Sequence, residues 1–175
     1  NLERGMHRRS FLHVRLLRRR GPRPGILGLA EVDAEGNINV SKFGPRVVGP
    51  GGFINIATSA NRIVFIGTMT VGAKSTVRDG KLVILQEGKK KKFVNRVEQI
   101  TFSGTYARKV GKPILYVTER AVFSLEADGL TLIEVAPGLD VEKDIISAME
   151  FRPRISPALK EMPGELFAPH WGKLR

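Results

Sequence analysis

The chain has 175 residues, a length that predicts one domain or part of a larger one. Its net charge is +12, and its 42% of hydrophobic residues is enough to form a core. The absence of cysteine excludes disulfides, thiolate nucleophiles and cysteine metal sites, and the scattered His7, His13 and His170 argue against a histidine metal cluster and against a Ser-His-Asp triad. No apolar run reaches the roughly 20 residues of a membrane-spanning helix, so no spanning segment is expected.

The basic charge is concentrated in residues 1–25. This segment holds eight arginines against one acid, Glu3, and ends in a Gly-Pro-Arg-Pro-Gly sequence that cannot continue a helix or a central strand. The remaining 150 residues carry 21 basic and 16 acidic groups, so nucleic-acid binding would have to depend on the arginine-rich segment. Three interpretations stay open for it: a basic arm for an anionic partner, a transit peptide, or sequence that is not native to the fold.

From residue 26 onward, short apolar runs alternate with turns. Residues 26–32 predict a strand, followed by a turn and a short returning strand at 38–40. A glycine cluster at 49–52 leads into a predicted helix at 52–61. The apolar run that follows predicts a buried strand over 62–67, because it is short, rich in β-branched and aromatic residues, and stopped by a glycine.

The glycine cluster at 49–52 has two interpretations. Paired glycines let a backbone approach a ligand closely, and backbone N–H groups at the start of a helix can cradle a phosphate. The same pattern also suits a sharp loop without a ligand, since short glycine patterns recur by chance.

The second half of the chain predicts mainly strands. Two hairpins with Asp-Gly turns are expected, at 76–85 and at 121–135, and two further strands are expected at 97–102 and 114–119. Many strands with few, short helices indicate a mixed α/β half-domain with a strand-rich face.

A last helix is expected from its N-cap, Asp140, to about Met149, with Lys143 and Asp144 facing solvent. Four prolines after this helix predict an extended tail that runs along the surface.

Four consecutive lysines occupy positions 89–92. Such a run can attract phosphate groups, including those of a nucleotide cofactor. A solvated face that protects a sheet edge is the interpretation we favour from the sequence.

Eight segments, in order and at matching spacing over residues 26–167, are similar to class I coenzyme A transferases, in particular to bacterial single-chain acyl-, acetate- or propionate-CoA transferases. The segments are GLAEVDAEGNINVSKFG, GGFINI, VFIGT, KKFV, VEQITFSG, YVTERAVFSL, GLTLIEVAPGLDVEKDI and ISPALK. The resemblance implies an α/β fold with an open mixed sheet, short helices and hairpins, a NagB/RpiA-like half-domain truncated at its N-terminus. It implies the C-terminal part of the catalytic half at 26–167, with 1–25 as a non-native or disordered basic segment and 168–175 as a tail.

The activity that the resemblance implies is transfer of CoA between a short-chain acyl-CoA and a carboxylate. In this family a glutamate attacks the thioester, and the enzyme passes through a mixed anhydride and a glutamyl-CoA thioester, which divides one difficult transfer into easier steps. CoA and acyl-CoA are substrates, and no tightly bound cofactor or metal is expected.

The resemblance implies that Gly51, Gly52, Phe53, Asn55, Gly67 and Thr68 line the CoA cleft. Ligands of open α/β sheets favour the carboxyl ends of strands, which suits Gly67 and Thr68. Lys74 and the lysines at 89–92 are weaker candidates for contact with the CoA phosphates.

The catalytic glutamate of the family belongs to a motif upstream of the matching segments, so no catalytic residue is expected in this chain. Glu31, Glu87, Glu98 and Glu119 lie in matching segments but not at the nucleophile's place. Glu119 is the nearest substitute, although a glutamate next to an arginine is more often part of a structural ion pair.

The expected partners are acyl-CoA, short-chain carboxylates and the missing N-terminal transferase half, in a cytoplasmic enzyme that is a homo-oligomer when intact. Nucleic acid and membrane are not expected partners. The alternative is a non-catalytic assembly or binding module that pairs with a separate transferase half. Nucleic-acid binding through the arginines ranks last; it predicts affinity that falls steeply with salt and is lost when residues 1–25 are deleted.

The resemblance also suggests an origin for the N-terminal arginines. Relatives carry the peptide FDFYDGGGLDLA before the segment that matches Ile26. GC-rich codons for that peptide, read one nucleotide early, encode VRLLRRRGPRPG, which is the sequence of residues 14–25. We therefore expect the residues before about Ile26 to come from a shifted reading frame, and the codons of the coding DNA test this expectation.

Overall fold

The computed structural model describes residues 24–168; residues 1–23 and 169–175 lie outside the described part. The α-helices are α1 (Phe53–Ser59) and α2 (Gly104–Lys109), and a π-helical turn, Val141–Ile145, leads into a 3-10 turn, Ile146–Ala148. A second 3-10 turn spans Gly164–Phe167. The strands are β1 (Gly25–Gly28), β2 (Glu31–Val32), β3 (Ile38–Asn39), β4 (Lys42–Phe43), β5 (Arg46–Val47), β6 (Ile63–Ile66), β7 (Thr70–Val71), β8 (Lys74–Arg78), β9 (Lys81–Gln86), β10 (Lys90–Lys91), β11 (Ile114–Val117), β12 (Ala121–Glu126), β13 (Gly129–Val135) and β14 (Arg154–Glu161).

The main sheet has six strands in the order β1-β6-β11-β12-β13-β14. Strands β1, β6 and β11 are parallel, with Phe65 opposite both Leu27 and Tyr116. Strands β11, β12 and β13 pair antiparallel, and β14 adds a parallel edge strand. The predicted open mixed sheet with short helices and hairpins is confirmed.

The core lies on the face of the main sheet that α1 and α2 cover. Alternate residues of the parallel strands point to this face, and Leu27, Phe65 and Tyr116 are all buried there. The Phe65 ring stacks on Phe53 of α1 at 5.9 Å and on Tyr116 at 5.4 Å between centroids. Burial raises the pKa of the Tyr116 hydroxyl, which donates a hydrogen bond of 2.6 Å to Gly36 O.

Both predicted hairpins are present. Strands β8 and β9 are joined by Asp79 and Gly80, which have φ angles of 50° and 71°. Two positive φ angles in a two-residue turn match the right-handed twist of the flanking strands. Strands β12 and β13 form the second hairpin, in which Gly129 has φ of 115°.

Three predicted elements differ in the structure. The predicted strand at 97–102 is wrong: Thr101 and Phe102 both donate their N–H groups to Ile38 O, which leaves an isolated bridge and no ladder. The predicted strand at 26–32 is divided into β1 and β2. The proline-rich tail is more than a surface extension, because it contains the edge strand β14. Residues on either side of Pro157 pair with β13, and the two paired parts of β14 are separated by a register shift. An edge strand tolerates a proline at such an irregularity.

The helical segment after residue 140 is present, but it is a π-helical turn followed by a 3-10 turn. The predicted N-cap is confirmed, because the Asp140 side chain accepts a hydrogen bond from the Lys143 N–H at 2.8 Å. Lys143 is exposed as predicted. Asp144 is half-buried: its Oδ2 accepts the Asp140 N–H at 2.8 Å, and its carbonyl oxygen accepts a hydrogen bond from Arg120 Nη1 at 3.1 Å, so it faces solvent only in part.

The first strand begins at Gly25, one residue before the predicted domain start at Ile26. Gly25 is buried, and its N–H donates a hydrogen bond of 3.0 Å to Arg62 O. Most of the predicted segment 1–25 and of the predicted tail 168–175 falls outside the described residues. Within the described part, no helix is long and apolar enough to cross a membrane.

Candidate functional site

A groove of about 580 Å³ opens where β1 and β6 end. Parallel neighbouring strands end at the same edge of a sheet, and the loops that leave them make a crevice in which ligands of open α/β sheets bind. The residues that line the groove are Gly28, Leu29, Ala30, Val40, Gly49, Pro50, Phe53, Ile66, Gly67, Thr68 and Lys92.

The floor of the groove is formed by Gly67 and its neighbours. The Leu29 N–H donates to Ile66 O at 2.8 Å, and the Gly67 N–H donates to Val117 O at 3.1 Å, so the chain leaving β6 is held on both sides. A Cβ atom on Gly67 would lie 2.7 Å from Leu29 O. Only glycine fits this close approach of two backbones. Thr68 is exposed, and its hydroxyl donates to Thr70 O at 2.9 Å.

Three of the six residues expected at the CoA cleft meet in this groove. Phe53 is buried against Phe65 and supplies a wall, and Gly67 and Thr68 supply the floor. Gly51 and Gly52 are exposed residues at the start of α1, and their neighbours Gly49 and Pro50 line the groove in their place. Asn55 is an exposed residue of α1 and does not line the groove.

The lysine run is only in part the solvated face that we favoured from the sequence, because Lys89 and Lys90 are exposed whereas Lys91 and Lys92 are half-buried. Lys90 forms an ion pair with the buried Glu31 at 2.7 Å, and Lys91 Nζ donates to Met149 O at 2.8 Å. Lys92 Nζ donates to Leu29 O at 3.3 Å and lines the groove. Lys89 is exposed. The sequence pattern does not distinguish the four lysines from one another, whereas in the structure their side chains have different environments.

Lys92 is half-buried, and burial lowers the pKa of its ammonium group, an effect that the nearby negative charge of Glu119 partly offsets. The main chain here is fixed, because the Val32 N–H donates to Lys92 O and the Val94 N–H to Val32 O, both at 2.9 Å. Sequence reasoning did not single out this residue, since its place in the groove depends on contacts with Leu29 and Val32, which are distant in the sequence.

A network of charged groups supports the loops beside the groove. Arg120 is only 1% exposed, and its guanidinium donates two hydrogen bonds, of 2.7 and 2.8 Å, to the Glu87 carboxylate. Its Nε donates to Glu119 Oε1 at 3.2 Å, while Glu119 Oε2 accepts the Met69 N–H at 2.9 Å. Glu119 therefore joins Arg120 to the chain just after Thr68, in agreement with the structural ion pair expected of it.

Glu87 is the second carboxylate of this network. The hydrogen bonds from Arg120 hold the pKa of Glu87 at about 2, although burial opposes this effect. The Thr70 hydroxyl and the Gly88 N–H also donate to Glu87 Oε1, at 2.6 and 2.7 Å. The carboxylate thus ties β7 and the end of β9 to Arg120.

A second cavity, of about 350 Å³, lies between α1 and α2. Its lining includes Ile54, Phe102, Tyr106 and Val110, and no carboxylate. Lys112 also lines this cavity, but its ammonium group already donates hydrogen bonds to carbonyl oxygens at the end of α1, to Ala57 O at 2.8 Å and to Thr58 O at 3.1 Å. Over residues 24–168, no group of three or more His, Asp or Glu side chains is arranged to hold a metal ion. The groove is the better candidate site, because it lies at the carboxyl ends of two parallel strands, where ligands of open α/β sheets bind.

No family model matches the chain. It is 51% identical over 154 residues to a caffeate CoA-transferase of Acetobacterium woodii, and 51% identical over 142 residues to the acetate CoA-transferase YdiF of Escherichia coli K12. These alignments cover 85% and 81% of this chain. The chain is a CoA-transferase homologue. The alignments cover only 29% and 27% of the two relatives, so the chain matches one segment of a CoA-transferase.

Solved structures agree with the homology. The acyl-CoA transferase YdiF apoenzyme of E. coli O157:H7 superposes with a TM-score of 0.81 at 49% identity, over 83% of this chain and 28% of that chain. A thioester complex of the same relative with CoA gives a TM-score of 0.80 at 50% identity, over 82% and 28% of the two chains. Glutaconate CoA-transferase of Acidaminococcus fermentans, at 18% identity and a TM-score of 0.53, shares the fold. The predicted resemblance to CoA-transferases is confirmed.

Proposed function

We propose that this chain is the segment of a CoA-transferase that holds part of the CoA thioester, in the groove at the ends of β1 and β6. The observation that carries the proposal is the position of Phe53, Gly67 and Thr68 around one groove, in a chain half identical to an acyl-CoA transferase that has been solved as a CoA thioester complex. The buried Phe53 offers an apolar wall, and Gly67 lets a ligand approach the backbone closely.

In the proposed reaction, CoA passes from a short-chain acyl-CoA to a second carboxylate. A glutamate carboxylate attacks the thioester carbonyl, the C–S bond breaks, and CoA leaves as a thiolate, which gives a mixed anhydride. The thiolate then attacks the glutamyl carbonyl, releasing the first carboxylate and forming a glutamyl-CoA thioester. The second carboxylate reverses both steps and leaves as the new acyl-CoA.

The nucleophilic glutamate of this proposal comes from another segment of the enzyme. Each of the four glutamates that lie in family-like segments already accepts hydrogen bonds from a cation: Glu31 from Lys90, Glu87 and Glu119 from Arg120, and Glu98 from Lys42. None of them lines the groove. Gly51, Gly52 and Asn55 remain proposed CoA contacts on the resemblance alone, and a cytoplasmic, homo-oligomeric whole enzyme is proposed on the same ground.

An acyl-CoA/acetate exchange assay on the 175-residue chain tests the proposal, together with mass spectrometry for a glutamyl-CoA adduct and NMR of the amides of Gly67 and Thr68 during a CoA titration. We expect shifts of these amides with CoA, and neither turnover nor adduct. Unchanged amides at saturating CoA would refute the binding role. An adduct on a glutamate of this chain would refute the assignment of the nucleophile to another segment, and Glu119 would be the first residue to examine.

A second candidate function, an assembly module that pairs with a separate transferase half, is favoured by the uncovered face of the main sheet. Parallel strands are usually covered on both faces, yet Ile26 of β1 is 61% exposed and Ile66 of β6 is 48% exposed. Co-purification with the remaining part of the acetate CoA-transferase relative tests it. Ile26→Lys should weaken the complex, and Val77→Lys, on the β8–β9 hairpin, should not. Failure of the wild-type chain to co-purify would remove this candidate.

A further inference from the structure

Lys92 is the one ionisable side chain among the residues that line the groove in the described part of the chain. The other lining residues are glycines and apolar or small residues, apart from Thr68, whose hydroxyl already donates within its own loop. Ligand pockets are typically apolar with a few polar groups that orient the ligand, and Lys92 is the charged group of this kind in the groove.

The ammonium group of Lys92 is incompletely satisfied. It has three donors and makes one long hydrogen bond, of 3.3 Å, to Leu29 O. No carboxylate among residues 24–168 lies within 4.0 Å of its Nζ: Glu119, the nearby acid, is already bound to Arg120 and to the Met69 N–H. Half-buried cations are costly when unpaired, so this arrangement favours an anion supplied from outside the chain.

The neighbouring lysines are not equivalent to Lys92. Lys90 is paired with Glu31, and Lys91 donates to Met149 O, so both charges are used within the fold. Lys89 is exposed and does not line the groove. A non-specific attraction of anions to the run would act through all four charges, whereas the geometry selects one.

We propose that Lys92 is the anion-binding residue of the groove and pairs with a phosphate or carboxylate oxygen of the molecule that lies there. The inference rests on the proposed function only for the identity of that molecule. Under the proposed reaction, the anionic oxygen comes either from the diphosphate of CoA or from the carboxylate of the acyl acceptor. Both offer the charge-assisted hydrogen bond that a lysine ammonium makes well.

The test uses the full chain, at constant ionic strength, in separate titrations with pyrophosphate, acetate and CoA. The amides of Leu29, Gly67 and Thr68 and the Cε resonance of Lys92 are followed by NMR. The variants are Lys92→Met, which keeps the length of the aliphatic side chain, and Lys92→Arg, which keeps the charge. Lys89→Met is the matched control, because it removes the same charge from the same run outside the groove.

We expect the wild-type chain and the Lys89→Met and Lys92→Arg variants to bind one of the two small anions at the groove amides, and Lys92→Met to bind it about tenfold or more weakly. A response to pyrophosphate alone identifies the phosphate, and a response to acetate alone identifies the carboxylate. The wild-type Cε resonance of Lys92 should shift with that anion, and this readout applies even if Lys92→Met fails to fold.

Equal weakening by Lys89→Met and Lys92→Met would overturn the proposal in favour of general surface charge. A wild-type groove that responds to neither small anion nor to CoA would overturn both this proposal and the proposed function. Binding of a small anion through Lys92 without any response to CoA would leave the Lys92 site standing and refute the proposed function alone.

Discussion

Gly67 brings the floor of the groove into contact with the backbone at Leu29, just after the neighbouring strand β1. This contact requires a residue without a Cβ atom. A Cβ atom there would lie 2.7 Å from Leu29 O and 3.1 Å from Leu29 Cβ. Gly67→Ala should therefore lower the free energy of unfolding by about 1–3 kcal/mol, as overpacked substitutions do. Urea unfolding of the purified chain measures this change.

Gly28, at the end of β1, is the control for this substitution. It lines the same groove, and a Cβ atom there would meet nothing within 4 Å. Gly28→Ala should leave the free energy of unfolding within about 0.5 kcal/mol of the wild type. A similar loss in both variants would show that the added methyl group, and not the contact with Leu29, is responsible.

Glu87 gives the chain a specific dependence of stability on pH. Its folded-state pKa is about 2, below the ordinary value of 4.5. The carboxylate therefore adds stability that is complete above about pH 4.5 and is lost as the pH falls through about 2. Glu87→Gln should be less stable than the wild type at pH 7, and the difference should shrink over that acidic range, as urea unfolding at several pH values would detect.

The loss at pH 7 should be smaller than the roughly 3–5 kcal/mol of a fully buried pair, because solvent reaches Glu87 and Glu119 still accepts from Arg120. Glu142→Gln is the control. Glu142 accepts two hydrogen bonds from Arg152, but both side chains are exposed. If the two variants show the same pH dependence of stability, the burial of Arg120 does not strengthen its ion pair with Glu87.

At the residue scale, the sequence located the groove but not its charge. Gly67 and Thr68 were expected in the cleft from the resemblance to CoA-transferases, and their position at a strand end, where ligands of such sheets bind, agrees with it. Phe53 was expected there from the same resemblance. The lysines at 89–92 were named together as candidates for phosphate contact, but Lys92 could not be separated from its neighbours, because only the fold brings it beside Leu29.

Asp140 governs the helical segment that supports Arg120. Its side chain caps the π-helical turn through the Lys143 N–H, and that turn presents Asp144 O to the Arg120 guanidinium. Asp140→Ala should cost about 1 kcal/mol of unfolding free energy, as loss of an N-cap does. Asp140→Asn keeps an acceptor and should recover most of that loss in thermal unfolding, and equal losses in the two variants would exclude the cap as the cause.

At the element scale, elements with local causes were predicted and those with distant causes were not. The β8–β9 hairpin follows from Asp79 and Gly80, whose backbone preferences determine the turn by themselves. The segment 97–102 has the composition of a strand, but the N–H groups of Thr101 and Phe102 both donate to Ile38 O, so its contact with β3 stays a single bridge and does not extend into a ladder. The edge strand β14 was missed because its prolines suggest an extended tail, and its pairing with β13 joins two segments that no local sequence signal connects.

At the scale of the whole molecule, two groups of buried side chains hold the chain together. The larger group includes Phe65 and Phe123 and fills the space between the main sheet and its helices. The smaller group consists of Leu82, Ala136, Met162 and Phe167, and it joins the β8–β9 hairpin to the end of the main sheet and to the last 3-10 turn. The Leu82 N–H also donates to Pro137 O at 2.8 Å, so the hairpin is attached at one end.

Phe167→Ala should release this hairpin without unfolding the main sheet, because Phe167 is only 7% exposed and belongs to the smaller group alone. Hydrogen exchange followed by mass spectrometry should show faster exchange at residues 74–86 and unchanged exchange at residues 114–135. Leu85→Ala is the control, because Leu85 lies on the same hairpin but is 56% exposed. Accelerated exchange of both regions in Phe167→Ala would mean that the smaller group is part of one cooperative core, and that the hairpin cannot open by itself.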